Sequence, residues 1–263
     1  SFPAALALAV AEAFEDVTGT LTGEVHLGGT PNAVEPSGRV VLTDGSVLLP
    51  ALGVGYSRIA ATFDVTPGGS IAVDGQARSR GTARATGTLR LDTLSNPGLD
   101  LTVEARDFLA VDRRDVQARV SGELEVRDFY QRPRVTGGLR VEQGVLVVEE
   151  FARSAGVVDL SDPAFFEVTD TTLTTLGPVL RASRNPFLQN LRLNVGLELV
   201  RDGWLRGRDL NVEMEGNLQV VWDRMERDLA MVGGLNAVRG VYSFVGRQFQ
   251  VQEGTVTFLG TPG

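Results

Sequence analysis

Few residues in this sequence could do chemistry, and their spacing argues against catalysis. The chain has 263 residues and one histidine, His26, so no histidine cluster for zinc or iron can form within it. Cysteine is absent. That removes thiolate nucleophiles, thiolate metal sites and disulfide scaffolds, and leaves the compartment open. The acidic neighbours Glu149-Glu150, Asp112/Asp115 and Asp159/Asp162 fall in turns or on polar faces, and none has calcium-loop spacing. Solvated charge accounts for them. His26 lies between Val25 and Leu27 on the polar side of its strand and is expected to face solvent. There is no Gly-x-Ser-x-Gly elbow, no Walker loop and no Gly-x-Gly-x-x-Gly entering a helix. The expectation is a non-enzyme with no metal and no cofactor.

Charge excludes a second class. All 25 cations are arginine and the net charge is −8, which argues against a chain that wraps nucleic-acid phosphates or coats an anionic membrane. Aromatic residues, 6% and mostly Phe, do not interleave with a basic stripe as single-strand binding requires. No nucleic-acid partner is expected.

What remains is patterning. From Leu210 the even positions Leu210, Val212, Met214, Gly216, Leu218 and Val220 alternate with Asn211, Glu213, Glu215, Asn217 and Gln219. Period 2 of this kind marks a strand with one apolar and one polar face. Leu191, Leu193, Val195, Leu197 and Leu199 repeat the pattern against Arg192, Asn194 and Glu198. So do Val116, Val120, Leu124 and Val126 against Gln117, Arg119, Glu123 and Glu125. Ala83, Ala85, Gly87, Leu89 and Leu91 form a fourth apolar face. The apolar members of the first three strands are the candidate groove-lining residues, while Arg192, Glu198, Glu213 and Glu215 are expected in solvent.

Helical periodicity appears only in residues 2–16, so the chain is expected to be all-β with one short N-terminal helix over 1–16. One short helix cannot cover so many long apolar strands, so the sheet must curl on itself. A barrel, a sandwich and a U-shaped open fold all meet that demand. Residues 17–263 read as one elongated β domain of about three imperfect repeats, over roughly 17–95, 96–184 and 185–263. Each repeat has a glycine-led strand (Gly23, Gly122, Gly216) followed by Val40-x-Leu42-x-x-Gly45, Leu139-x-Val141-x-x-Gly144 or Leu235-x-Ala237-x-x-Gly240. Asn96-Pro97 and Asn185-Pro186 are each expected to open an alternating strand. Leu160 to Asn190 reads as mostly loop with a short helix or strand in it, and Pro67–Ser70 as a tight turn. Residues 2–10 are too short to span a bilayer. The chain is expected to be a fragment whose membrane anchor lies elsewhere. Long, glycine-relieved apolar strand faces with few aromatics suit a groove where an acyl chain would lie.

The last 50 or so residues carry a resemblance. Met214–Val220, Gly233–Gly240, Val241–Phe249, Val251–Phe258 and Gly260 together resemble the C-terminal domain of the TamB family, the inner-membrane-anchored component of the translocation and assembly module. The likeness reaches back, less tightly, to about residue 20. It implies a sheet folded like a taco shell around an apolar trough, in the periplasm, on a protein anchored in the inner membrane. It also implies roles in moving phospholipid to the outer membrane and in assembling outer-membrane proteins with an Omp85-type barrel. The family pattern continues beyond Phe258-x-Gly260, so further strands are expected outside this chain. The leading functional expectation is a phospholipid conduit. The alternative is an assembly factor whose strand edges pair with nascent outer-membrane β-barrel proteins. A transmembrane barrel is disfavoured because aromatic girdles are absent.

Overall fold

The computed structural model describes residues 15–30, 33–50, 52–91, 96–149, 186–223 and 228–260. They form one long, open, curled sheet of thirteen strands, as the sequence expectation of an all-β taco-like shell requires. The strands are β1 (Glu15–Thr30), β2 (Ala33–Leu49), β3 (Val54–Thr66), β4 (Ser70–Ser79), β5 (Gly81–Arg90), β6 (Gly98–Asp112), β7 (Val116–Phe129) and β8 (Arg132–Val147). There follow β9 (Arg192–Arg206), β10 (Leu210–Asp223), β11 (Asp228–Phe244), β12 (Arg247–Val251) and β13 (Thr255–Gly260). Neighbours in sequence are neighbours in the sheet from β1 to β12, and β13 also pairs β11, beside β12.

Every pairing is antiparallel except β8 with β9, which is parallel. A parallel step cannot be made by a tight turn. The end of β8 and the start of β9 therefore lie at opposite edges of the sheet. The last residues of the connection between them are described. Pro186–Gln189 is a single helical turn, and Phe187 and Leu191 pack on Val135 and Val195. The Asn185-Pro186 expectation thus differs from the fold: Pro186 starts a helical turn, where its fixed φ and missing N–H are tolerated, and the strand begins at Arg192. Asn96-Pro97 does directly precede β6. Pro67-Gly68-Gly69 forms the turn between β3 and β4, closed by Gly69 N–H donating to the Thr66 carbonyl at 3.2 Å. The N-terminal helix expected over 1–16 lies outside the described residues except at its end, where Glu15 and Asp16 belong to strand β1.

Two devices bend the sheet. The first is a belt of β-bulges crossing it perpendicular to the strands. Register slips occur between Leu42 and Gly45, Ser57 and Ala60, Ala105 and Phe108, and Val141 and Gly144. Asp44, Arg58, Asp107 and Asp202 sit at such slips with φ of 49–52°, a region Asp tolerates better than most residues. A bulge adds one residue to one strand and sharpens local twist. The second device is a diagonal pair of glycines in three hairpins: Gly23/Gly38, Gly122/Gly137 and Gly216/Gly233. At Gly216, φ is +142° and an added Cβ would lie 2.1 Å from the Gly234 carbonyl oxygen; at Gly233, φ is +137° and the distance to the Asn217 oxygen is also 2.1 Å. Only a residue without Cβ permits that approach.

Candidate functional site

Register places the apolar residues of successive strands in continuous rows on one face. One row runs Leu101, Val126, Val135, Leu193, Trp222 from β6 to β10. Another runs Val103, Leu124, Gly137, Val195, Val220, Met231. Leu139, Leu197 and Leu218 form the next, and Val120, Val141 and Leu199 the one beyond, at the bulge belt. Past the belt lie Val116, Leu146, Leu205 and Val212, with Leu210 beside Tyr242 at the strand end. Leu191 precedes β9 and joins the cluster of Val135 and Val195. Rows of the same kind cover the N-terminal half, for example Val65, Ile71, Leu89 and Leu99 across β3 to β6.

Coverage of this face is uneven. In β9 and β10 it is nearly closed, with Val195 4% and Val212 4% exposed. At the two ends of the sheet it opens: Leu27 on β1 is 72% and Phe249 on β12 is 51% exposed. Tyr242 and Phe244 stack at that open end with ring centroids 6.4 Å apart. Where β3 nears β6 the inner face is locally sealed, because Asp112 N–H donates to the Leu52 carbonyl at 2.9 Å and Tyr56 packs on Phe108. Burial there pushes the Tyr56 phenol up to about 12.

The opposite face is polar and laced across strands. Arg84 forks onto Asp74 at 3.0 and 2.7 Å, Arg140 reaches Glu198 at 3.1 Å, and Arg39 pairs Asp64. Such exposed pairs add little stability. Glu198 and Glu215 are exposed as expected. Glu213 is not. It lies on the polar side but is 5% exposed, accepting from the Asp202 backbone N–H at 3.0 Å and from Arg239 Nε at 2.6 Å. Those bonds hold its carboxyl below the usual range. The correction has a local cause: the bulges at Asp202 and between Glu213 and Met214 fold the backbone over the side chain. Arg192 is half-buried and donates to Asp128 at 2.6 Å. Asp115 is also buried, forked by Arg113, where solvation had been expected. His26 is exposed beside Glu24.

All fourteen candidate groove residues lie on the apolar side, none of them exposed. Sequence patterning missed Phe108, Val135 and Val141, which are buried on the same side, as is Trp222, which continues the even-position alternation of β10 but was not among the candidates. The missing signal is phase. A bulge switches the apolar positions of β8 from odd (Val135, Val141) to even (Gly144, Leu146). Among the described residues, no group of three or more His, Asp or Glu could hold a metal, and no helix is long and apolar enough to cross a membrane.

The geometry meets a family at this point: the TamB C-terminal domain matches residues 76–263. The chain belongs to the TamB family. The matched region holds β5 to β13 and thus the parallel junction and the most covered part of the apolar face of this TamB domain. No curated protein and no solved structure matches the chain. Membership ties it to the translocation and assembly module or to lipid transport.

Proposed function

We propose that this domain is a non-enzymatic phospholipid conduit of the periplasm, working between inner and outer membrane. Acyl chains lie along the apolar face while headgroups stay at its wet rim. The observation that carries the reading is the unbroken run of apolar rows from β1 to the C-terminal strands, open at both ends of the sheet. An acyl chain gains roughly 0.8 kcal/mol for each buried CH₂, so Leu and Val rows retain lipid without any directional bond. Native mass spectrometry of the purified chain tests it: co-purified phospholipid is the expected result, and a lipid-free protein after expression in a diderm host overturns it.

A second reading is supported by the free side of β1, which among the described residues pairs only β2. A 16-residue edge can take an added strand. This suits an assembly factor for outer-membrane β-barrel proteins working beside an Omp85-type barrel. Crosslinks from β1 to a nascent barrel strand, with no bound lipid, would favour it over the conduit.

A further inference from the structure

A basic hollow of about 370 Å³ opens on the polar face, away from the apolar rows, at the turn joining β4 to β5. Arg58, Arg78, Arg80 and Arg106 line it, from β3, β4, the turn and β6. The hydroxyl residues Ser57, Ser79 and Thr82 complete the wall. Ser57, Arg78, Thr82 and Arg106 stand in one row across four strands, so register alone brings two of the cations together. No carboxylate lines the hollow. Two acids stand nearby: Asp107 accepts from Arg119 at 2.7 Å, and Glu104, outside the lining, pairs with Arg106 at 3.6 Å. Elsewhere on this face Arg39, Arg84, Arg127 and Arg140 are each paired with an Asp or Glu of a neighbouring strand. Among the described residues, Arg58, Arg78 and Arg80 have no such partner.

Backbone conformation adds an independent sign. Left-handed φ outside glycine falls mostly on aspartates (Asp16, Asp44, Asp107, Asp128 and Asp202), the residue type that tolerates it. Arg58 (φ 49°) and Arg80 (φ 58°) are the arginines in that region, and both line the hollow. A costly conformation kept by a poorly suited residue points to a role for the side chain it carries. Arg58, Arg78 and Arg80, gathered without a carboxylate partner beside the paired Arg106, repel one another, in a chain whose net charge is −8, and an anion relieves that repulsion. Guanidinium forks with hydroxyl donors match phosphate oxygens better than any other common anion.

We propose that this hollow is a binding site for a phosphate group, the chemistry shared by phospholipid headgroups and free phosphate. The site is independent of what occupies the apolar face. The test uses the whole 263-residue chain and two probes: inorganic phosphate by calorimetry, and flotation with phosphatidylglycerol vesicles against phosphatidylcholine vesicles. Wild type is expected to bind phosphate saturably, and Arg78→Gln with Arg106→Gln to weaken it about tenfold or more. Arg247→Gln, an exposed arginine on β12, is the charge control and should leave binding unchanged. If the double variant melts early, Arg78→Gln alone carries the comparison. Binding to both probes assigns the headgroup as the source, and binding to phosphate alone assigns a soluble anion. Lack of saturable binding to either probe, or equal weakening by Arg247→Gln, overturns the site.

Discussion

At Glu213 a single carboxylate pins the backbone where the bulge belt crosses β9 and β10. Glu213→Ala would strand the Asp202 N–H and Arg239, and should cost about 1–3 kcal/mol in chemical denaturation. The pH dependence follows from the direction of its shift. The unfolded carboxyl titrates near 4.5 and the folded one lower, so the contribution is complete above 4.5 and disappears as pH falls below it. Wild type and Glu213→Gln should therefore differ in stability at pH 7 and converge towards pH 3. Equal gaps at both pH values would show that the carboxylate does not carry the effect. Tyr56 has the opposite dependence. Its raised pKa removes stability as pH climbs from 10 towards 12, and ultraviolet titration should find one tyrosine ionising near the upper value. Neither residue was legible as special in the sequence. Glu213 occupies a polar position in a perfect alternation, and only the backbone fold around it, invisible to periodicity, removes it from water.

Elements differ in how openly they announce themselves. β7 and β10 keep their inward-facing residues on even positions from end to end, which is why their alternation is plain in the sequence. In β2, β8 and β11 the apolar phase slips by one residue, and a motif spacing in the sequence carries the slip. The spacing Leu-x-Val-x-x-Gly at Leu139–Gly144 spans the bulge, and its two counterparts at Val40–Gly45 and Leu235–Gly240 do the same. The leading glycines of these motifs are members of the diagonal pairs. Gly216→Ala and Gly233→Ala should each cost about 1–3 kcal/mol, since both φ and space forbid a Cβ. Gly138→Ala is the contrasting case, because nothing lies within 4 Å of its Cβ position. Thermal melts that fall for the first two and hold for the third would bear out the close approach. The parallel pairing of β8 with β9 had no sequence signal, because β9 alternates alike whichever way its neighbour runs.

For the whole molecule the decisive property is the continuity of one apolar face. A charge placed on it discriminates an occupied groove from a closed core. Leu27→Asp and Leu197→Asp, at one largely exposed and one partly covered position of the face, should abolish phospholipid retention in native mass spectrometry with only a modest fall in melting temperature, since an open wall can hydrate a charge. Unfolding of both would reveal a packed interior, where an unpaired charge costs several kcal/mol of a stability near 5–15. The control is Glu215→Arg on the exposed polar side, because Glu213 is engaged in the bulge.

The parallel junction also governs how the chain reaches its shape. Every other pairing is a local closure, between consecutive strands or, for β11 with β13, across the short β12, whereas Val135 meets Leu193 only after a long excursion. Local closures are fast and distant ones slow. The sheet should accordingly assemble as two autonomous meanders, β1–β8 and β9–β13, whose docking is the late, rate-limiting event. Pulsed hydrogen exchange should find protection arising first within each meander, and only afterwards across the seam that joins them.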